Sequence, residues 1–240
     1  MIDTVFERGL VLVKTIQTTQ RETIDTAAKM IAAAFVDGHH FFVSGSGHSH
    51  TVAEEFYGRA GCLAFPIPIL TNELTLNEHP TKSSAIERLE GYAKILLNLY
   101  HVRSGDVVLV ASNSGRNAYP VELALEAKAI GARVIAITSK KHSSNTASRH
   151  KSGKKLMDVA DVVIDNCGEV GDSCLALDGV DATMLPTSSI ANAFIAQAIE
   201  VMCAKYIVDS GVKPPVFVSL NVDGNTSVNE AYFKEYTRLY

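Results

Sequence analysis

The sequence is poor in every residue class that marks a special environment. Its 240 residues include four cysteines, Cys62, Cys167, Cys174 and Cys203, scattered and without a C-x-x-C pair. That spacing excludes a zinc ribbon or a disulfide framework and implies reduced thiols in a cytoplasmic setting. No continuous apolar run reaches the ~18 residues of a membrane span. Met1-Ile-Asp-Thr lacks the pattern of a signal peptide, so the expectation is a soluble, cytoplasmic chain with no membrane partner. Charge of neither sign accumulates: the net charge is −4, and no Lys/Arg cluster is interleaved with aromatics. This excludes a general basic field for nucleic acid, and an anionic ligand must then be held by local donors. What is present is 47% hydrophobic residues, enough for one full α/β domain and short for two.

The chain is organised around Asp106–Ser139. The apolar run Val107–Val110 leads into a small polar turn, a helical pattern from about Tyr119 to Ile130, and a second run, Val134–Ile137. β-branched runs separated by a helix indicate parallel strands buried on both faces, joined by a right-handed crossover. The turn Ser112-Asn113-Ser114-Gly115-Arg116-Asn117 therefore lies at the carboxyl end of a central strand, where open α/β sheets place ligands. Gly115 permits close backbone approach, and the following helix offers unpaired N–H groups at the positive end of its dipole. Ser112, Ser114 and Asn117 add neutral donors suited to a phosphate dianion held without a metal. On these features alone the corner also reads as an ordinary strand–turn–helix connection, with Ser114 or Asn117 as N-cap.

Ser112-x-Ser114-Gly115 after a buried strand resembles the phosphate loop of the SIS (sugar isomerase) family, whose pattern is Ser-x-Ser-Gly-x-Thr. Asn117 stands at the usual Thr position. The resemblance spans about Gln20 to Ser210. It implies a three-layer α/β sandwich with a central, mostly parallel sheet of about five strands, preceded by N-terminal helices. The expected organisation is N-terminal helices for packing or dimerisation over 1–37, a sugar-phosphate domain over 38–210 and a tail over 211–240. The first two helices, expected at 2–18 and 20–37, carry apolar stripes (Val5, Leu12, Val13, Ile16; Ile24, Ala27, Ala28, Ile31, Phe35). They must be buried against the sheet or another subunit, and the resemblance implies a homodimer or larger.

The strand Phe41-Phe42-Val43 enters Ser44-Gly45-Ser46-Gly47-His48-Ser49-His50. A dinucleotide fingerprint fails here, because His50 occupies the third glycine position. The resemblance assigns Gly45, Ser46, Gly47, His48 and Ser49 to the sugar end of the substrate. The pair His48-x-His50 raises a metal site. A helix-opening turn sets such rings on different sides, however, and no third ligand is near in sequence; neither metal nor cofactor is expected. Ala53-Glu54-Glu55-Phe56-Tyr57-Gly58-Arg59 is similar to a segment of the phosphoheptose isomerases, in which the second glutamate, here Glu55, is a catalytic acid/base. Thr51 stands where that branch has a metal-binding histidine, so its zinc site should be absent. Glu54 and Glu55 also read as a solvated, dipole-stabilised helix face.

Pro66 and Pro68 restrict 63–70 to an edge strand or extended segment. A polar loop, Asn72–Lys82, precedes a helix expected over 84–101, and His79 before Pro80 is the candidate for the second proton-transfer group. Lys140–Lys155 is basic and Ser/His-rich, a solvated loop rather than a flap over the phosphate. The helix after Pro186 is apolar on nearly every side over Ile190–Ala204 and suits a dimer seam. Thr187, at its start, is placed beside the pocket by the resemblance, but the histidine that phosphoheptose isomerases carry in this region is missing.

SIS enzymes move the proton next to the carbonyl of an open-chain sugar phosphate. Glu55, the Asn-Glu-His-Pro loop and the tail look most like a small branch that includes an N-acetylglucosamine-6-phosphate dehydratase. The leading expectation is therefore loss of water from an amino-sugar 6-phosphate after proton abstraction at C2. Aldose–ketose isomerisation is the alternative, and a non-catalytic sugar-phosphate sensor is a second, though the N-terminal helices lack a basic DNA-recognition face.

Overall fold

Short strands buried on both faces build the centre of the molecule. The computed structural model describes residues 1–222 and 226–236. Two helices, α1 (Ile2–Thr19) and α2 (Arg21–Val36), precede β1 (Phe41–Gly45). A 3-10 turn (Gly47–His50) leads into α3 (Thr51–Phe56), then β2 (Ile67–Ile69), α4 (Pro80–Ile86) and α5 (Tyr92–Leu99). The organising unit is β3 (Val107–Ala111), α6 (Ala118–Ile130) and β4 (Arg133–Thr138). The remainder is α7 (Lys140–Ser144), β5 (Val162–Asp165), the hairpin β6 (Ser173–Leu175) and β7 (Met184–Pro186), α8 (Ser188–Asp209) and α9 (Thr226–Tyr236).

Five strands form one parallel sheet in the order β2-β1-β3-β4-β5. Because side chains alternate across a strand, Phe41, Val43, Val107, Leu109, Ile135 and Ile137 enter the core shared with α1, α2, α3 and α8. Phe42, Val108, Val110, Val134 and Ala136 enter the opposite core, beneath α5 and α6. The expected three-layer sandwich is thus present. The chain winds outward from β1 to β2 and, through β3, to β4 and β5 on the other side, so the order reverses between β1 and β3. Crevices at such reversals bind ligands.

Three elements differ from expectation. The helix expected over 84–101 is two helices, α4 and α5, broken at 87–91. Gly91 adopts φ 93°, and the Glu122 carboxylate accepts hydrogen bonds from Gly91 N (2.8 Å) and Ala93 N (3.3 Å), capping α5 from α6. The glycine-rich stretch after Cys167 folds in part as the β6–β7 hairpin. And α8 has the length and composition of a membrane span, although no single apolar run had suggested one. Its inner side, however, packs against α2 and α3 in the core. In the tail, Asn229 bonds the Val218 backbone in both directions; Asp223 and Asn225 lie outside the described residues.

The inner side of α8 carries a buried carboxyl. Glu200 accepts from Leu63 N (2.8 Å), while its other oxygen has no hydrogen-bond partner among the described residues. Burial raises this carboxyl from its ordinary value of 4.5 to about 8. The folded state therefore binds the proton more tightly than the unfolded chain. Stability is greatest below pH 4.5, falls as pH rises towards 8, and stays low above it. We expect the melting temperature to drop between about pH 4.5 and about pH 8, and Glu200→Gln, which keeps the acceptor for Leu63, to flatten that drop. Parallel melting curves for the two proteins would assign the slope to other groups.

Candidate active site

The cleft opens over the carboxyl ends of β1 and β3, and two serine turns form its floor. The first begins at Gly45, where a Cβ would lie 2.3 Å from the Ser49 carbonyl oxygen; only a glycine lets the chain double back so tightly. Ser49 N bonds Ser46 O (3.1 Å), and Gly47, at φ 56°, donates to Leu74 O (2.9 Å). Ser46, His48 and Ser49 thereby line a cleft of ≈ 330 Å³. His50 is buried beneath the turn, bonded to Gly47 O and 3.2 Å from Glu54. The two histidines therefore serve different surroundings. No group of three or more His, Cys, Asp or Glu among the described residues is placed to hold a metal.

The second turn is Ser112–Asn117, between β3 and α6. Gly115, at φ 57°, donates to Ser112 Oγ (3.2 Å). Asn113 is held from below: its carbonyl accepts from Ser139 N (3.0 Å) and Thr138 Oγ1 (3.1 Å), and its side-chain oxygen from Asn166 Nδ2 (3.0 Å). Ser112, Asn113, Ser114, Arg116 and Asn117 face the cleft. Asn117 stands at the N-cap position of α6, yet its side chain makes no capping bond. Instead its amide nitrogen donates to Glu87, and its oxygen accepts from Arg149 Nη1 (3.0 Å).

Glu87 lies where α4 breaks. Its backbone oxygen accepts from Tyr119 N (2.8 Å), and its carboxylate receives Ser46 Oγ on one side and Asn117 Nδ2 on the other. One carboxylate thus ties the two serine turns together. Burial pushes its pKa up, against the lowering effects of the Ser46 bond, Arg88, Arg149 and Asn117. A carboxylate held above its ordinary range is suited to accept and return a proton.

The rim comes from later segments. Ser139 Oγ caps α7 by accepting from His142 N (3.0 Å), and the His142 ring accepts at Nδ1 from Gly171 N (3.1 Å). In the neutral ring, the proton then sits on Nε2. Asp172, at φ 72°, caps α8 by accepting from Ser188 N (2.8 Å), Ser188 Oγ (2.6 Å) and Thr187 N (3.2 Å).

The structure brings residues of both serine turns into one cleft. Thr187, by contrast, is buried and spends its hydroxyl on Asp172, and it is Ser188 that lines the cleft. Glu55 is not among the lining side chains. On the short α3 it turns towards α8, accepting from Gln197 Nε2 and Arg59 Nη1, each at 3.0 Å. Nor is His79, which is exposed and caps α4 through Thr81 N (3.3 Å). Sequence reasoning missed Glu87, His142, Arg149, Asp172 and Ser188. Gly91, inside an expected helix, was the signal for the break that frees Glu87. The basic stretch 140–155 held the signal for His142 and Arg149.

Residues 6–139 match the SIS domain, and the chain belongs to the SIS domain family. Within it, the chain is a member of the UPF0309 group. It is 47% identical to a UPF0309 protein of Halalkalibacterium halodurans, over 93% of this chain and 92% of that one. It is 41% identical to one from Thermoanaerobacter pseudethanolicus, over 94% and 93%. Among solved structures it is similar to phosphoheptose isomerases from Neisseria gonorrhoeae (TM-score 0.55, 16% identity, covering 87% of this chain and 97% of that one) and Francisella tularensis (0.55, 17%, 87% and 96%). At these identities the likeness is one of fold.

The Gly45 turn yields a direct test. Gly45→Ala forces a methyl group against the Ser49 carbonyl and is expected to cost about 1–3 kcal/mol in chemical denaturation. An unchanged midpoint would show that the turn can open without penalty.

Proposed function

We propose that the cleft binds an amino-sugar 6-phosphate and that Glu87 moves the proton at C2, leading to loss of water. The observation that carries this reading is the raised-pKa carboxylate of Glu87 at the meeting point of the two serine turns. The phosphate sits on the Ser112–Asn117 turn, where hydroxyl and backbone donors converge without a metal. The sugar end extends beneath Ser46, His48 and Ser49.

Glu87 removes the C2 proton from the open-chain aldehyde, whose carbonyl delocalises the resulting charge. The C2=C3 double bond forms as the C3–O bond breaks, and the departing hydroxyl takes a proton to leave as water. Glu87, now carrying the proton taken from C2, returns it to that oxygen, and His142, whose Nδ1 accepts from Gly171 N, donates a hydrogen bond to it from Nε2. His48, in the same cleft, is the second cleft histidine. Isomerisation uses the same first step but returns the proton at C1, so it is the alternative outcome of one machinery. A sensor would need neither Glu87 nor a cleft histidine.

The test is proton NMR in D2O with N-acetylglucosamine 6-phosphate and a panel of aldose 6-phosphates. Loss of the C2 proton with a new vinylic signal is expected, and Glu87→Gln should slow it by about 10²–10⁴-fold. The acid limb of kcat/KM should lie above the ordinary carboxylate range, activity being lost as falling pH protonates Glu87. Exchange and ketose formation without a vinylic signal would establish isomerisation. Loss of activity in Glu55→Gln or His79→Ala, with Glu87→Gln active, would return the acid/base role to the residues that the family resemblance nominates. Binding without turnover would leave the sensor.

Uncovered apolar side chains support a homo-oligomer. Phe6 and Leu10 on α1 are each 69% exposed, as are Phe194 (56%) and Val201 (66%) on α8. Faces of this kind mark association surfaces. Light scattering should give at least twice the mass of one chain, and Phe6→Glu with Phe194→Glu should lower it; a monomeric wild type would overturn the assignment.

A further inference from the structure

The segment after α7 is bound to the phosphate loop by its backbone. Arg149 N donates to Arg116 O (2.8 Å), and Leu156 N to Gly115 O (2.8 Å). This fixes the Arg149 guanidinium over the loop, with Nη1 on Asn117 Oδ1 (3.0 Å). Both Arg116 and Arg149 line the cleft. Arg116 Nε is buried without a hydrogen-bond partner, and among the described residues neither arginine forms an ion pair. The two carboxylates of the cleft are committed elsewhere, Glu87 to Ser46 and Asn117, and Asp172 to the start of α8. Burial, then repulsion from Arg116 and Arg88, lowers the pKa of Arg149. Two neighbouring guanidiniums opposed only by Glu87, which lies beside Arg149 without forming an ion pair with it, and one of them holding an unsatisfied buried donor, are complementary to a doubly charged anion.

We infer that Arg116 and Arg149 form a charge clamp that makes this cleft select a dianionic phosphoryl ester over a singly charged ester of the same shape. The neutral donors of the serine turn accept either ester; the paired guanidiniums distinguish them by charge. Arg149 is thereby a specificity residue supplied by a segment outside the Ser-x-Ser-Gly turn. The inference rests on the sugar-phosphate reading of the cleft and adds the basis of its selectivity.

The experiment is calorimetric titration of the full chain at pH 7.5 with glucose 6-phosphate and glucose 6-sulfate. At this pH the phosphate ester is largely dianionic, and the sulfate ester carries a single charge. Wild type should bind the phosphate at least about tenfold more tightly. Arg149→Gln should weaken phosphate binding by about 10–100-fold, leave sulfate binding changed by less than about threefold, and so collapse the ratio. Arg149→Lys, which keeps the charge, should restore part of it. Arg116→Gln repeats the test should Arg149→Gln lose its fold. Equal affinity for the two esters in wild type, or equal weakening of both by the variants, would overturn the clamp and leave the sugar-phosphate reading standing. Failure of wild type to bind either ester would overturn the clamp, and failure to bind N-acetylglucosamine 6-phosphate as well would overturn the sugar-phosphate reading with it.

Discussion

The parallel register of β1 and β3, with Gly45 beside Ala111, sets the relative position of the two serine turns that floor the cleft. It brings Ser46 and Ser112, each the first residue beyond its strand, out at the same level of the sheet. A slip of one residue would turn the apolar set of β1 to the wrong face and separate the two turns. Burial of Phe41 and Val43 in one core and Phe42 in the other therefore fixes the site indirectly.

On that frame, buried polar groups are satisfied through sharing. Glu122 caps a helix other than its own, Asp172 caps α8 across a hairpin, and Glu87 spans two turns. Each carboxylate accepts from donors that would otherwise face a dry interior, as buried polar groups require. The departures from regular structure fall at these places: a broken helix at Glu87 and positive φ at Asp172.

The fold was legible because its signals are local. The runs Val107–Val110 and Val134–Ile137 and the turn between them contain their own strand, crossover and ligand position. The Gly45 turn was legible for the same reason. Glu87 was not, because its role depends on a helix break imposed by Glu122, 35 positions away (122 − 87 = 35), which periodicity cannot report. Arg149 was hidden likewise: its basic neighbourhood is visible, but the backbone bonds that bring it to Arg116 are tertiary. Glu55 shows the reverse case. Its segment resembles a known motif, while the short α3 directs its carboxylate to Gln197 on α8.

The backbone attachment of the 149–156 segment also governs when the molecule loses its freedom. With Arg149 N and Leu156 N bound to the loop carbonyls, and Asn113 held by Ser139 and Asn166, the Ser112–Asn117 turn is held in place by the rest of the fold. The entropy of fixing it is lost once, during folding, and is not charged again at each encounter. This end of the cleft is therefore rigid, and any adjustment to what binds falls to the opposite wall, where His48 stands exposed on the first turn.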